Sequence, residues 1–454
     1  MTALLYLLGY GITLALGWLV LFGHRSAARP SETWQIALTL LFLPSLLKYA
    51  LQLLIAPWFD VQGWWRRRRA PRRAAKPAQR VSVLVPAWNE EVGIALTVRS
   101  LLASDHPDVE VVVINDGSTD DTEAVMQALV AEHEASGRPG RLVYVSQPNG
   151  GKASALNRGL GVASGEIIVT TDADSAVAAD TLTNFARRFD DPRVMAVAGN
   201  VKIGNRPGVL GLVQRLEYLY GFYFKKADSV LDSIYIVGGA AAAYRADVLH
   251  ELIDRGRSGA LAGFDEDNIT EDIEMSTRLQ AAGHRIVYAP DAVVTTEAPA
   301  DWDGLVRQRL RWKFGRFLTF RQYRHLFFNP TLPRKRVLTM LILPVALLSE
   351  VLLLAEPLLV TVMWAWTIAV GDYGPALVYI GALTLVVGWQ VLTDTRRRES
   401  LALLPLAPMA WLVFYLVDLT EFRALVRTLV RMATGRGVTW QRWSRQGVFA
   451  SQQG

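Results

Sequence analysis

Four short motifs hold residue types that can do chemistry on a phosphate-bearing or hydroxylated substrate. The first is Asn115-Asp116-Gly117-Ser118, directly after the apolar run VEVVVI. A carboxylate there, followed by glycine, can accept a hydrogen bond from a base or ribose while the backbone turns tightly; an Asp-Gly-Ser turn is the plainer reading. The second is Asp172-Ala173-Asp174, after EIIVTT. Aspartates at i and i+2 leave a strand on the same side, close enough to hold a divalent cation and a ribose hydroxyl. Oxygen ligands without histidine or cysteine favour Mg²⁺ or Mn²⁺. A solvated Asx turn is the alternative. The third, Thr270-Glu271-Asp272, reads as a helix start with Thr270 as the cap and Asp272 in the first turn. Acids there complement the helix dipole, but the surrounding GFDEDNITEDIE holds more acid than a cap requires. A carboxylate in a cleft could take the proton of an attacking sugar hydroxyl. The fourth is Gln308-Arg309-Leu310-Arg311-Trp312. On a helix, Gln308, Arg311 and Trp312 share a face. Arginine suits a diphosphate leaving group and the indole suits the apolar face of a sugar ring. The competing reading is a basic helix on a membrane surface.

Other chemistries are excluded by residue type. The chain has no cysteine and six histidines, and none of the histidines stand at HxxxH or HExxH spacing. Thiolate nucleophiles, disulfides and a histidine-built zinc site are therefore out. NGGKASAL is not a Walker A loop, because Ser146 and Ala153 stand where Gly and Ser or Thr are required. RGLGVASG fails GxGxxG at Ser164 and lies in a helical stretch rather than after a strand. Lys152 remains as a lone cation for a diphosphate or a uracil oxygen.

The elements that must position these groups have an α/β rhythm over 81–325. The runs VSVLVPAW, VEVVVIND, EIIVTTDADS and VMAVAGNV read as strands, and 119–136 and 152–163 as helices. That pattern predicts a mixed, mostly parallel sheet whose polar loops fall just after the strands, where open α/β sheets bind nucleotides.

The 454 residues are 51% hydrophobic and 20% charged, with a mean hydropathy of +0.21. Apolar residues therefore concentrate in membrane spans. Residues 3–23 carry no charge and are long enough to cross a bilayer; a signal peptide would need a basic start and a shorter apolar core. A second run, 34–59, has one charge, Lys48. Apolar segments return at 337–370, 376–393 and 401–420. The first of these is expected to break at Glu356-Pro357, and the last, with Pro405 and Pro408, to be a span or a re-entrant piece. Net charge is +6, but 66–80 hold eight basic residues and no acid, leaving −2 for the rest. This concentration places the arm on the cytoplasmic side beside Trp64 and Trp65 and argues against a nucleic-acid partner. The tail arginines also favour the cytoplasm, with 421–433 as an amphipathic interfacial helix. The expected division is thus 1–60 as two spans, 61–80 as the arm, 81–325 as the catalytic domain, 326–420 as further spans and 421–454 as the tail.

Taken in order, VPAWNEE (85–91), NDGSTDDT (115–122), GGKASALN (150–157), DAD (172–174), TED (270–272) and QRLRW (308–312) resemble the processive, membrane-embedded family-2 glycosyltransferases. These are the cellulose, hyaluronan, chitin-oligosaccharide and poly-N-acetylglucosamine synthases. AGNVKI, QRLEY and VGGAAAAYRADVL look closest to the bacterial poly-β-1,6-N-acetylglucosamine synthases. The resemblance implies an inverting GT-A domain inserted between N- and C-terminal transmembrane helices. It assigns nucleotide-sugar contacts to Asn89, Glu90, Asp116, Lys152 and Asp172, and the Mg²⁺ or Mn²⁺ ligand to Asp174. Catalysis falls to Asp272 with Glu271, and the diphosphate and acceptor sugar to Gln308, Arg309, Arg311 and Trp312. Implied partners are a UDP-sugar, the growing polysaccharide, the bilayer and a small membrane subunit, at the bacterial cytoplasmic membrane. TED in place of GDD or GED argues against hyaluronan synthesis. The short stretch after 420 has no room for a cyclic-di-GMP domain, which favours N-acetylglucosamine over glucose. Rival readings are a non-processive transferase to a polyprenyl phosphate, a glucan synthase, and a transporter or sensor with a degenerate nucleotide-binding domain. A transporter should carry paired charges in its spans and repeated halves, and neither is evident.

Overall fold

A computed structural model of the chain describes residues 32–69, 79–205, 208–256, 263–332, 334–370, 373–438 and Gly447. The expected span at 3–23, the part of the basic arm at 70–78 and the tail residues 439–446 and 448–454 lie outside the described residues. The chain divides into two compact units, one of Ala70–Gly211, Asp232–Arg324 and Arg436–Gly454, the other of Met1–Arg69, Leu212–Leu231 and His325–Gly435.

The first unit is built on β1 Val81–Ala87, β2 Val109–Asp116, β3 Arg141–Gln147, β4 Ile167–Thr170, β5 Ser175–Val177, β6 Val194–Ile203, β7 Ala242–Arg245 and β8 Arg285–Thr296. They form one sheet in the order β3-β2-β1-β4-β7-β6-β8-β5. β1 lies parallel to β2 and β4, β2 to β3, and β6 to β8, while β7 runs antiparallel to β4 and β6, and β5 to β8. The sheet is therefore mixed, with parallel pairings in the majority. β2 is buried along its whole length, which is what a parallel strand covered on both faces requires. The helices Ile94–Leu102, Thr122–Ser136 and Lys152–Leu160 return the chain between the parallel strands. Gly159 lets the last of these lie close on the sheet, since a Cβ there would stand 2.8 Å from Ile114 Cδ1. The register pairs Ala87 with Asn115, Asp116 with Gln147 and Leu84 with Thr170. Three of the motifs, 89–91, 116–118 and 172–174, thus follow the C-terminal ends of the parallel strands β1, β2 and β4, at the same end of the sheet.

The second unit is helical. The helix Glu32–Arg69 contains Pro44 and Pro57 and carries one stretch, Leu40–Trp65, long and apolar enough to cross a membrane. Ala376–Thr393 and Arg397–Ala433 meet the same criterion, and Leu338–Leu352 with Glu356–Ala369 form a pair bent by 64°. The bend falls where Pro357 was expected to interrupt helical hydrogen bonding. Pro405 and Pro408 lie in a tight 3₁₀ stretch, Leu401–Met409, that leads into the helix Ala410–Ala433. The interfacial helix expected at 421–433 is not a separate element. No glycine or proline breaks 410–433, so it is the second half of that helix.

The helix Gly208–Val230 contributes Val213, Leu216 and Leu219 to a core with Val387, Val391, Leu403, Ala407, Ala410, Val413 and Val417. Its C-terminal part is held by Lys226 Nζ to Asp60 Oδ2 at 2.8 Å, Gln52 Nε2 to Asp228 Oδ1 at 2.7 Å and Trp389 Nε1 to Tyr223 OH at 2.9 Å. Most of this helix therefore belongs with the apolar segments, although its sequence lies inside the stretch read as catalytic.

Candidate active site

Asp116 ends β2, and the chain then turns through Gly117 at φ +69°, where a Cβ would stand 2.7 Å from the Asn149 amide nitrogen. Asp116 Oδ1 accepts from Gln147 Nε2 at 2.8 Å and from the Gly150 amide at 2.9 Å; Oδ2 accepts from the Gly151 amide at 2.8 Å. The carboxylate thereby fixes the loop that delivers Lys152, the first residue of its helix. Asn89 has a positive φ of 57°, a conformation asparagine tolerates better than most residues. Its side-chain oxygen accepts from the amides of Thr119 and Asp120, and its own amide donates to Ser118 Oγ at 2.8 Å. The Glu90 amide donates to Thr122 Oγ1 at 2.8 Å. These contacts lace the loop after β1 to the loop after β2.

Lys152 Nζ lies 2.6 Å from Asp172 Oδ1 and 3.2 Å from Glu271 Oε1. Asp272 is beside them: its Oδ2 accepts from the Gly239 amide at 2.8 Å and its Oδ1 from the Ile273 amide at 2.8 Å. The Gly239 carbonyl in turn accepts from Thr170 Oγ1 at 3.0 Å, and Ala240's from Thr171 Oγ1 at 3.0 Å. A Cβ on Gly239 would sit 3.0 Å from Lys152 Nζ, so the absence of a side chain there makes room for the ammonium group. Burial alone would lower the Lys152 pKa, but the charges of Asp172, Glu271 and Asp272 outweigh it and raise it above the usual lysine range. Burial raises the Glu271 carboxyl, Lys152 opposes that and Asp272 adds to it, so the pKa ends above normal. Burial and the nearby Asp272 and Glu271 charges raise the Tyr244 phenol.

Asp174 occupies a different setting. It is buried, and its Oδ1 accepts from Thr296 Oγ1 at 3.2 Å. The turn carrying it is pinned by Thr97 Oγ1, which donates to the Ala173 carbonyl at 2.8 Å and accepts from the Ser175 amide at 3.2 Å.

The acidic helix runs Glu271–Ala281. Thr270 does precede it, but its hydroxyl makes no cap. Thr270 Oγ1 instead donates to Asn268 Oδ1 at 3.2 Å, because the crowded approach of a second helix turns it away from the helix amides. That second helix, Trp302–Gln322, is capped by Asp301 Oδ1 on the Gly304 amide at 2.7 Å. At Gly315 a Cβ would fall 2.1 Å from Thr270 Oγ1. Asn268 Nδ2 donates to Thr319 Oγ1 at 3.0 Å, and Tyr323 OH donates to Glu274 Oε1 at 2.6 Å. QRLRW therefore stands on a helix clamped to the acidic one. Gln308 and Arg309 are buried, and Gln308 Oε1 has no hydrogen-bond partner among the described residues. The Arg309 guanidinium lies 4.3 Å from the Trp312 ring centroid, while Arg311 and Trp312 are half-buried.

The fold agrees with what the chain resembles among known proteins. Residues 77–315 match the sequence profile of the family described as glycosyltransferase-like family 2. The chain belongs to that family. Its family-2 region is 30% identical over 239 residues to a poly-β-1,6-N-acetyl-D-glucosamine synthase of Staphylococcus epidermidis, covering 52% of this chain and 54% of that one. It is 31% identical over the same length to the synthase of the same name from Staphylococcus aureus strain COL. The chain spans about half the length of the curated relatives it matches. Among solved structures, it is similar to a mannosyltransferase from Pyrobaculum calidifontis in complex with GDP-mannose and Mn²⁺. The TM-score is 0.53 and the identity 25%, with 87% of this chain and 99% of that one covered.

Within the family-2 domain, the structure brings Lys152, Asp172, Glu271 and Asp272 into one cluster. It gives Asn89 and Asp116 the task of holding the loops around it, and it sets Asp174 against β8. Sequence reasoning missed Gly239, which orients Asp272, and also Gln147, Thr170 and Thr296. The paired glycines before AAAAY, with Gly238 at φ +84°, were the one signal of a backbone needed at close range.

Proposed function

We propose that this family-2 protein is an inverting glycosyltransferase that adds N-acetylglucosamine from its UDP-sugar to a growing β-linked polysaccharide and passes the product across the bacterial cytoplasmic membrane. The carrying observation is the Lys152 bridge, which joins the carboxylate implied for the nucleotide, Asp172, to the acidic turn holding the implied base, Asp272. Donor and base groups so arranged suit a single in-line displacement. The acceptor hydroxyl gives its proton to Asp272 as its oxygen bonds to the anomeric carbon. The bond from that carbon to the diphosphate breaks on the opposite face, and its electron pair leaves with UDP. Lys152 and Arg311 meet the negative charge on the departing diphosphate. Trp312, braced by the Arg309 stack, offers a flat face to the acceptor ring.

A divalent metal would find a single protein carboxylate here, Asp174. No group of three or more histidines, cysteines or acids able to hold an ion occurs among the described residues. Asp174, an acceptor-only carboxylate, would hold Mg²⁺ or Mn²⁺ in the way those ions are commonly bound, by one or two carboxylates and otherwise by substrate phosphate and water. Bound there, the ion would supply charge neutralisation at the diphosphate.

The test is sugar-nucleotide turnover by purified protein with Mg²⁺ or Mn²⁺, offered UDP-N-acetylglucosamine, UDP-glucose, UDP-glucuronate and GDP-mannose separately, with products sized. Turnover of the first alone, giving a polymer, is the expected result. Turnover of UDP-glucose alone would make it a glucan synthase. One glycolipid product and no ladder would instead mean single-sugar transfer to a lipid carrier. Asp272→Asn should lower kcat by about 10²–10⁴-fold while leaving donor KM nearly unchanged. Near-normal turnover in that variant would remove the base assignment.

A further inference from the structure

We propose that Glu271 is a positioning residue: it keeps Lys152 at the donor site when the nucleotide sugar takes up Asp172, and does not itself accept the proton. This rests on the functional reading above. The two partners of Lys152 are unequal. The Asp172 side chain is 34% exposed and the Glu271 side chain 6%, so an entering ligand reaches Asp172 first and Glu271 is the inner anchor. An ammonium group has three donors. Lys152 can therefore keep Glu271 while its other N–H bonds pass from Asp172 to a diphosphate oxygen.

The surroundings of Glu271 fit holding better than proton transfer. A carbon on Gly239 would lie 3.4 Å from Glu271 Oε1 and 3.0 Å from Lys152 Nζ, so this side of the pair is closed by backbone. Asp272, one residue on, is only half-buried, and it is the carboxylate that the Gly239 amide orients. Adjacent acids on one helical turn thus receive different tasks: the buried one ties down the cation and the more open one faces the acceptor.

The experiment is a double-mutant cycle on the full chain with Lys152→Met, Glu271→Gln and the two combined. Glu271→Gln should raise donor KM about tenfold with kcat within about threefold, the pattern of lost ground-state binding. If Glu271 acts through Lys152, adding it to Lys152→Met should change KM by less than about twofold. A fall in kcat of about a hundredfold or more at unchanged KM, as loss of a base gives, would overturn the proposal. So would KM effects that simply multiply in the double variant. Thermal unfolding of the same proteins reads the pair without any donor. Lys152→Met, which leaves the buried Glu271 without its cation, should melt lower than the double variant, because an uncompensated buried charge costs more than a lost pair, whereas Glu271→Gln leaves Lys152 bridged to Asp172; strictly additive losses would also sink it. A wild-type protein that turns over no sugar nucleotide would count against the functional reading alone, and the unfolding cycle would still decide the pair.

Discussion

Asp116 spends its carboxylate on Gln147 and the amides of Gly150 and Gly151, which makes it a builder of the loop that carries Lys152. The neighbouring Gly117 follows from the same geometry, since its positive φ and the Asn149 amide 2.7 Å from a Cβ leave no place for a side chain. Gly117→Ala should cost about 1–3 kcal/mol, the usual range for a strained backbone site. A lower Tm together with a raised donor KM would show it, and an unchanged Tm would mean that the loop is free to relax. At this scale the acids were legible and their partners were not. Asp116, Asp172 and Asp272 stand out because a carboxylate after an apolar strand or at a helix start is conspicuous. Gly239 bonds to Asp272 from 33 residues away, and no local pattern encodes that meeting.

The elements show the same division. β1, β2 and β6 are long enough and rich enough in valine and isoleucine to be read directly. β7 is AAYR and β5 only SAV, too short or too alanine-rich to carry a strand signal. β8 contains Pro290, which normally argues against a central strand. It is accommodated where the pairing of β6 with β8 slips between Ala198 and Asn200, and Asn200 Nδ2 donates to the Pro290 carbonyl at 3.1 Å. The contact between the acidic helix and the QRLRW helix depends on Gly315. Gly315→Ala should reduce turnover and cost about 1–3 kcal/mol by overpacking, and Thr270→Ala in the same chain should recover part of both. Failure of Thr270→Ala to rescue would mean the helices meet elsewhere. In the turn before β6, hydrogen bonds from Arg193 hold the Asp191 carboxyl low, at about 2 against 3.8 unperturbed, with Arg285 adding to the effect. A carboxyl depressed in the fold contributes stability above pH ~4 and loses it as pH falls towards 2. Asp191→Asn should therefore lower the melting temperature at neutral pH but flatten its decline over that acid window. An unchanged pH profile would show the pair to be inert.

For the whole molecule, composition pointed to long apolar segments, and three described helices are long and apolar enough to cross a bilayer. The full chain is expected to stay in the membrane pellet through an alkaline carbonate wash and to need detergent for release. Recovery in the wash would rule out spanning helices. What composition could not reveal is membership. The segment Leu212–Leu231 belongs with the apolar helices although sheet-unit sequence flanks it on both sides. A short amphipathic stretch has no composition of its own that distinguishes a domain's surface helix from a piece of its neighbour. The chain passes between the two units after 69, 211, 231, 324 and 435. During synthesis the ribosome therefore delivers the sheet unit in three instalments, each separated from the next by a stretch of the helical unit. No single cut can excise it as a contiguous fragment: a 70–324 piece would carry Val213, Leu216 and Leu219 away from the residues that cover them. The sheet unit can be inherited, or transplanted by an engineer, only together with the helical unit or after that insert has been removed.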